Sequence, residues 1–247
     1  MYMEQFWTFF SFPLNLLVAV LWAVSWGWLW KSHRDTFVIR FMLSPIATIS
    51  SIAMLIAACL WIGFTNDRDF VQTFLFVLVL LYVQTVVFLI TLRGWKTASG
   101  KIRWRFLLIH AGLLLALGAG YWGSPDSNEL RVKLNRGQIT RQAYSLDGRN
   151  STLDYEIELK DFFTEFSSSG MPSHYEAVIA VDGGADVKLT VNHPYNVQFG
   201  EDIYLASLSD GACVLQIVRE PWRCFALAGI VMLILGAFML FIKGPSR

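Results

Sequence analysis

Five long apolar blocks constrain the fold of this chain more than any other feature of its sequence. A helix needs roughly 20 predominantly apolar residues to cross a bilayer, and each block is close to that length. Hydrophobic residues make up 55% of the chain and charged residues 16%. We therefore predict a polytopic α-helical membrane protein with about five transmembrane helices. The predicted spans are about Phe12–Trp30, Phe41–Gly63, Phe70–Leu92, Phe106–Trp122 and Pro221–Ile242.

The basic residues of the short loops predict an orientation, because cytoplasmic loops carry an excess of Lys and Arg. Basic residues follow the first, third and fifth spans, whereas the loop 65–69 has one Arg against two Asp. The first twelve residues carry no Lys or Arg. All basic loops share the cytoplasmic side if the N-terminus lies outside. The residues concerned are Lys31, Arg34, Arg40, Arg93, Lys96, Lys101, Arg103, Arg105, Lys243 and Arg247.

A polar stretch between the fourth and fifth spans predicts an extracytoplasmic β-rich domain over 123–220. It divides the membrane domain, 1–122, from the last transmembrane helix and cytoplasmic tail, 221–247. Apolar and polar residues alternate at the period of a half-buried strand, and Asp182–Asp186 favours a hairpin turn. We expect a compact antiparallel sandwich or barrel. The predicted strands are 130–134, 153–159, 175–181, 187–191, 203–208 and 214–218, with a loop over Ser167–Pro172.

Composition excludes several functions. The formal net charge of +1 gives no indication of a nucleic-acid partner. The three cysteines form no C-x-x-C motif, which argues against thiol–disulfide chemistry and covalent c-type haem attachment. Cys59 and Cys224 lie in apolar runs and are expected to be small core side chains. No residue is predicted to be catalytic, and the acidic residues Asp154, Glu156, Glu158 and Asp161 are expected to form a solvated face.

His110 is the only one of the four histidines that falls inside a predicted span. An ionisable side chain at membrane depth is costly and usually faces a bundle interior or a cofactor. It can be a neutral imidazole bonded to a neighbouring helix, or it can bind a haem iron as an axial ligand. Gly112, Gly118 and Gly120 of the same helix allow close approach of a flat macrocycle or of another helix.

Haem ligation by His110 would leave half of a bis-histidine site unfilled, because no second histidine is expected at that depth. Either a partner subunit supplies the second ligand, or the haem is not bis-histidine. His33, His174 and His193 have loop or outer-domain positions that structural roles explain.

Short motifs follow one another in order from Arg105 to Pro221, within a likeness that runs from about Phe41 to the C-terminus. Their order and placement resemble those of the ResB/CcsB family of system II cytochrome c biogenesis, of which this would be a compact member. The motifs are Arg105–Gly112 leading to Gly118–Gly123, Leu159–Phe162, Gly170–Tyr175, Val191–Pro194 followed by Gly200–Tyr204, and Arg219–Pro221.

The resemblance implies a subunit that works with a CcsA-type membrane protein, carries haem across the membrane and presents it to apocytochrome c. In the family, the histidine at the position of His110 is one axial ligand of a non-covalently bound haem b, and the CcsA-type partner supplies the other. This implies an accessory subunit of a cytochrome c haem lyase in the bacterial inner membrane, with a periplasmic outer domain.

Two features depart from the family pattern. The outer domain is smaller than in many relatives, and the first span is an additional N-terminal helix. The tryptophan-rich WWD motif of CcsA is missing, since Trp26–Trp30 does not match it. The haem attachment site is therefore expected in the partner.

Two other functions fit parts of the pattern. The chain could be a membrane-anchored scaffold whose outer domain docks a periplasmic protein, with a structural His110. It could also be a haem-bearing anchor of a quinol-oxidising complex, which is disfavoured because such anchors usually carry their own histidine pairs.

Overall fold

The structure of the protein is a computed structural model that describes residues 10–65, 70, 73–146, 148–166, 172–209 and 212–243. The predicted acidic loop at 66–69, most of the predicted loop 167–172 and the basic Arg247 lie outside the described residues. Two compact units are present: a helical unit of 1–124 and 222–247, and a β unit of 125–221. Each is described by itself.

The helical unit has five helices, among the described residues, that are long and apolar enough to cross a membrane, as predicted. Between the first two lies a short helix, Phe37–Met42, that the sequence pattern does not predict. A 3₁₀ turn, Ser124–Asp126, follows the fourth. In chain order the helices are α1 (Leu14–Ser32), α2 (Phe37–Met42), α3 (Pro45–Thr65), α4 (Phe74–Gly94), α5 (Trp104–Gly123) and α6 (Arg223–Lys243).

Polar side chains inside these helices find hydrogen-bond acceptors in backbone carbonyl oxygens of the same helix. The Thr85 and Thr91 hydroxyls donate to carbonyl oxygens four residues earlier, both at 2.7 Å. Between helices, the Tyr82 hydroxyl of α4 lies 2.8 Å from that of Ser50 in α3. Such bonds matter in a bilayer, which supplies no water to an unpaired polar group.

The β unit is a single eight-stranded antiparallel sheet in the order β5-β4-β3-β2-β1-β8-β7-β6. Strands β4 and β5 also approach β7, so one face of the sheet encloses the apolar core. The strands are β1 (Asn128–Asn135), β2 (Ile139–Ser145), β3 (Asn150–Phe166), β4 (Pro172–Val181), β5 (Val187–Thr190), β6 (Tyr195–Gln198), β7 (Glu201–Ser209) and β8 (Ala212–Arg219).

The first and last strands of the β unit lie side by side. β1 pairs with β8 along its whole length, with Asn128 opposite Arg219. The chain therefore enters and leaves the β unit at one end of one strand pair. The predicted hairpin joins β4 to β5, where Asp182 and Gly183 have φ of 49° and 67°.

Two sequence expectations need correction. Cys59 and Cys224 are exposed on their helices, whereas Cys213 is buried in the β core. The predicted acidic face is only partly solvated, because Glu158 and Asp161 are half-buried and pair with Lys160 and Arg136.

Candidate functional site

His110 lies in α5, six residues after its first residue, Trp104. At 1.5 Å per residue this is roughly 9 Å along the helix axis. The side chain is half-buried among apolar residues of the same helix. His110 is therefore inside the membrane-spanning segment while part of its surface stays accessible.

A backbone hydrogen bond determines which nitrogen of His110 carries the proton. Nδ1 lies 2.9 Å from the carbonyl oxygen of Phe106, one turn earlier. A carbonyl oxygen can only accept a hydrogen bond, so Nδ1 is the donor. In the neutral imidazole the lone pair is then on Nε2, which has no hydrogen-bond partner among the described residues. This is the tautomer that binds a metal through Nε2.

The Phe106 ring supports the imidazole from one side. The two rings are stacked, with centroids 3.9 Å apart and planes inclined by 21°. The guanidinium of Arg103 lies 5.0 Å from the Phe106 ring centroid, and its Nη1 donates to the Gly94 carbonyl oxygen at 3.3 Å. Arg103, which immediately precedes α5, and Phe106 thus lie near the end of α4, and His110 follows one turn after Phe106.

Gly94 leaves the space that the Phe106 ring occupies. A Cβ atom on Gly94 would lie 2.3 Å from the ring's Cζ and 2.6 Å from its Cε1. Real Cβ atoms do not approach other atoms this closely. The absence of a side chain at the end of α4 is therefore what allows Phe106 to lie where it does.

The predicted glycine surface of α5 is only partly available to a ligand. A Cβ on Gly112 would lie 2.8 Å from the carbonyl oxygen of Gly229 in α6, so this glycine serves helix packing. Gly118 has only Trp122 near it, and Gly120 has no described atom within 4 Å of such a Cβ. The close approach expected at Gly112 is thus made by another helix.

The other three histidines make contacts of their own in the described part of the chain. His33 packs its ring against Trp28, with centroids 5.4 Å apart. His174 lies 3.7 Å from the Glu176 carboxylate, and His193 contacts the Val191 carbonyl oxygen in a turn. No group of three or more His, Cys, Asp or Glu residues that could hold a metal occurs in the described ranges.

A second polar cluster in the helical unit is not predicted from the sequence. Gln84 of α4 is 1% exposed and accepts a hydrogen bond from Trp122 Nε1 at 3.1 Å. Asn15 of α1 donates to the Trp122 carbonyl oxygen at 2.7 Å. The amide Nε2 of Gln84 has no acceptor among the described residues. An amide within an apolar run is the sequence signal that could have found this cluster.

The β unit brings two of the predicted motifs together around a buried carboxylate. Glu201 is 5% exposed and accepts hydrogen bonds from the Tyr155 hydroxyl at 2.5 Å and from Gln198 Nε2 at 2.8 Å. Arg219 Nε lies 4.0 Å from Glu201. Glu201 and Arg219 border a polar cleft of about 100 Å³ at the end where the chain enters and leaves the unit.

The glycine of the Gly200–Tyr204 motif has a defined structural reason. Gly200 has a φ of 72°, a conformation that side chains disfavour. A Cβ there would lie 2.4 Å from Pro221 Cα, and the Gly200 carbonyl oxygen accepts from Glu220 N at 2.6 Å.

The Glu201 carboxylate holds the proton on Tyr155, and burial together with this hydrogen bond raises the pKa of the Tyr155 hydroxyl well above its usual range.

One family model matches the middle of the chain. Residues 101–212 match the model of the ResB-like family, which confirms the resemblance predicted from the motifs. No curated protein matches the chain. Among solved structures, one described as "Cytochrome c Heme Lyase CcmF" aligns with 94% of this chain at 12% identity and a TM-score of 0.43. The chain spans 46% of the length of that protein.

Proposed function

Because residues 101–212 match the ResB-like family, we propose that this protein is a cytochrome c biogenesis subunit that binds haem in transit through His110. With a CcsA-type partner it carries haem b across the membrane and presents it to apocytochrome c. Its own role is accessory rather than catalytic. The observation that carries the proposal is the Nδ1 hydrogen bond of His110 to Phe106, which leaves Nε2 free for iron.

The donor set of this chain fits one axial position of a haem. Metal-ligating histidines usually donate their second ring nitrogen to a carbonyl or carboxylate, which fixes the tautomer and raises ligand basicity. Here the carbonyl belongs to the same helix, so the imidazole is prepared for iron before any partner binds. A bound haem would be held by an iron–nitrogen bond at Nε2 without any covalent thioether, since no C-x-x-C motif exists.

The second axial ligand is assigned to the partner. The other three histidines make structural contacts of their own within the described chain, and the family resemblance implies that the second ligand comes from the CcsA-type partner. A haem held through His110 Nε2 would take its second ligand from the CcsA-type subunit. This makes haem retention dependent on the complex.

The proposed orientation follows from the charge of the loops. The N-terminus and the β unit are outside, in the periplasm of a bacterial inner membrane, and the basic loops are in the cytoplasm. The loop between α4 and α5 is one of these basic loops, and its residues Lys96 and Ile102 form an antiparallel bridge. His110 then lies toward the cytoplasmic end of α5, where haem would first be bound.

The proposal is tested by co-expressing the chain with a CcsA-type partner and measuring haem in the purified complex. We expect a Soret band from the wild-type complex and from His193→Ala, whose histidine lies in an exposed turn of the β unit. His110→Ala is expected to lose most of the haem and to abolish cytochrome c maturation while the two subunits still co-purify. Undiminished haem and maturation in His110→Ala would refute the proposal.

The scaffold function gives a different result in the same experiment. A wild-type complex that purifies intact and supports maturation, but holds no haem with or without His110, would favour a docking role for the β unit. Covalent haem on this chain alone would contradict both functions.

A further inference from the structure

We propose that Gly94 is a positioning residue for the His110 imidazole, acting through the ring of Phe106. Gly94 is the last residue of α4, whereas His110 lies in α5, and no single sequence motif contains both residues. The expected effect on haem binding rests on the proposed function, whereas the positioning of His110 is argued only from contacts within the helical unit.

The Phe106 ring is confined on several sides. Its Cζ and Cε edge points at Gly94, so closely that a Cβ atom there would overlap it at 2.3 Å. One neighbour of the ring is the His110 imidazole at 3.9 Å, and another is the Arg103 guanidinium at 5.0 Å. A ring displaced from Gly94 therefore changes its position relative to the imidazole and the guanidinium.

Displacement of the ring would disturb the tautomer of His110. The imidazole lies parallel to the ring and at the same time donates from Nδ1 to the backbone of the residue that carries the ring. The carbonyl oxygen is fixed in the helix, and the imidazole can donate to it because the ring, lying against Gly94, leaves the imidazole room to do so. A shifted ring would rotate the imidazole off this bond, and the proton would no longer be confined to Nδ1.

Gly94 does not act through its backbone conformation. Its φ is not among the positive values, so an alanine could adopt the same helical geometry. The effect of Gly94→Ala is therefore the collision with Phe106. Gly63 offers a matched control, because it lies near the end of α3 and no described atom lies within 4 Å of its Cβ position.

The first test is the tautomer of His110 in the purified full-length chain without haem. Nitrogen NMR of chain labelled with ¹⁵N-histidine, with the His110 signals identified by their loss in His110→Ala, distinguishes a proton on Nδ1 from one on Nε2. We expect wild type and Gly63→Ala to carry the proton on Nδ1, and Gly94→Ala to shift population to the Nε2-protonated form. An unchanged spectrum in Gly94→Ala, or a wild-type proton on Nε2, would overturn the proposal.

A second variant separates positioning from misfolding. Phe106→Leu removes the Cε and Cζ atoms that collide with a side chain at position 94. The double variant Gly94→Ala/Phe106→Leu is therefore expected to return the proton to Nδ1. Failure of this rescue, together with a folded Gly94→Ala chain, would show that the glycine acts on His110 by some other route and would overturn the proposal.

The haem readout distinguishes failure of this inference from failure of the proposed function. In the complex with a CcsA-type partner, Gly94→Ala is expected to weaken haem binding by about 10–100-fold, as changes to groups that orient a metal ligand usually do. Gly63→Ala is expected to bind as wild type does. A wild-type complex without haem would refute the proposed function, and the nitrogen spectra would still decide the role of Gly94.

Discussion

Gly229→Ala is expected to loosen the contact between α5, which carries His110, and α6. The backbones of these helices approach closely where glycine faces glycine. A Cβ on Gly229 would lie 2.6 Å from the backbone nitrogen of Ala116 and 2.8 Å from the carbonyl oxygen of Gly112. Backbone atoms cannot rotate away as side chains can, so the helices would have to separate.

The magnitude follows from two opposing terms. Adding a methyl group to a filled interface costs about 1–3 kcal/mol. Replacing glycine by alanine within a helix gains about 1 kcal/mol of helix propensity. Gly120→Ala in α5 has the second term without the first, because no described atom lies within 4 Å of its Cβ position. We therefore expect Gly229→Ala to be less stable than Gly120→Ala by about 1–3 kcal/mol.

The assay is reversible unfolding of the full chain by SDS in mixed micelles, followed by helical circular dichroism. Comparison of the two alanine variants cancels the propensity term and leaves the collision. Equal stability of Gly229→Ala and Gly120→Ala would refute the close approach of α5 and α6 at this point. It would also mean that the surface at Gly112 is not covered by α6 and is open to a ligand.

Two further predictions concern the β unit of the full chain. Tyr155→Phe removes a hydrogen-bond donor to the buried Glu201 and is expected to lower the free energy of unfolding by about 1.5–3 kcal/mol, measured by heat or denaturant. The control is Tyr204→Phe, whose hydroxyl has no hydrogen-bond partner in the described structure and which should change stability by less than about 0.5 kcal/mol. Equal effects of the two variants would contradict the role of the Glu201 hydrogen bond. Burial raises the pKa of Cys213 from 9.0 to about 12. The unfolded thiol therefore ionises first as pH rises above 9, and this group should lower stability by about 1.4 kcal/mol per pH unit between roughly pH 9.5 and 11. The stability difference between wild type and Cys213→Ala should change over that range, and a constant difference would show that the folded thiol ionises normally.

The transmembrane helices could be predicted from the sequence because long apolar blocks have one solution in a bilayer. The sequence predicts the ends of these helices less accurately than their existence. Hydropathy predicts that the fourth span begins at Phe106, but α5 begins at Trp104. Polar and aromatic residues such as Arg105 and Trp104 can continue a helix into the interface, where hydropathy no longer marks it.

The β unit shows where strand patterns fail. The sequence does not predict strand β2, because Ala143 is its one buried residue and Ile139–Ser145 has no apolar alternation. It does not predict strand β6, which has only four residues, none of them buried. Both are identified by their pairing with neighbours that the sequence did predict, which is a tertiary property.

The candidate site was only half predictable. His110 could be identified because an imidazole in an apolar run is costly and therefore conspicuous. Phe106 and Gly94 could not, because a phenylalanine and a glycine are ordinary residues of membrane helices. Their importance depends on a distance between α4 and α5 that no spacing in the sequence encodes.

Chemical rescue of His110→Gly tests the central claim most directly. The glycine variant would be co-expressed with a CcsA-type partner and purified, and its haem absorption would be recorded before and after addition of free imidazole. If His110 supplies the axial nitrogen, the variant should lack the wild-type Soret band and regain it with imidazole, while wild type is unaffected. A His110→Gly complex that keeps the wild-type haem spectrum without imidazole would contradict the account.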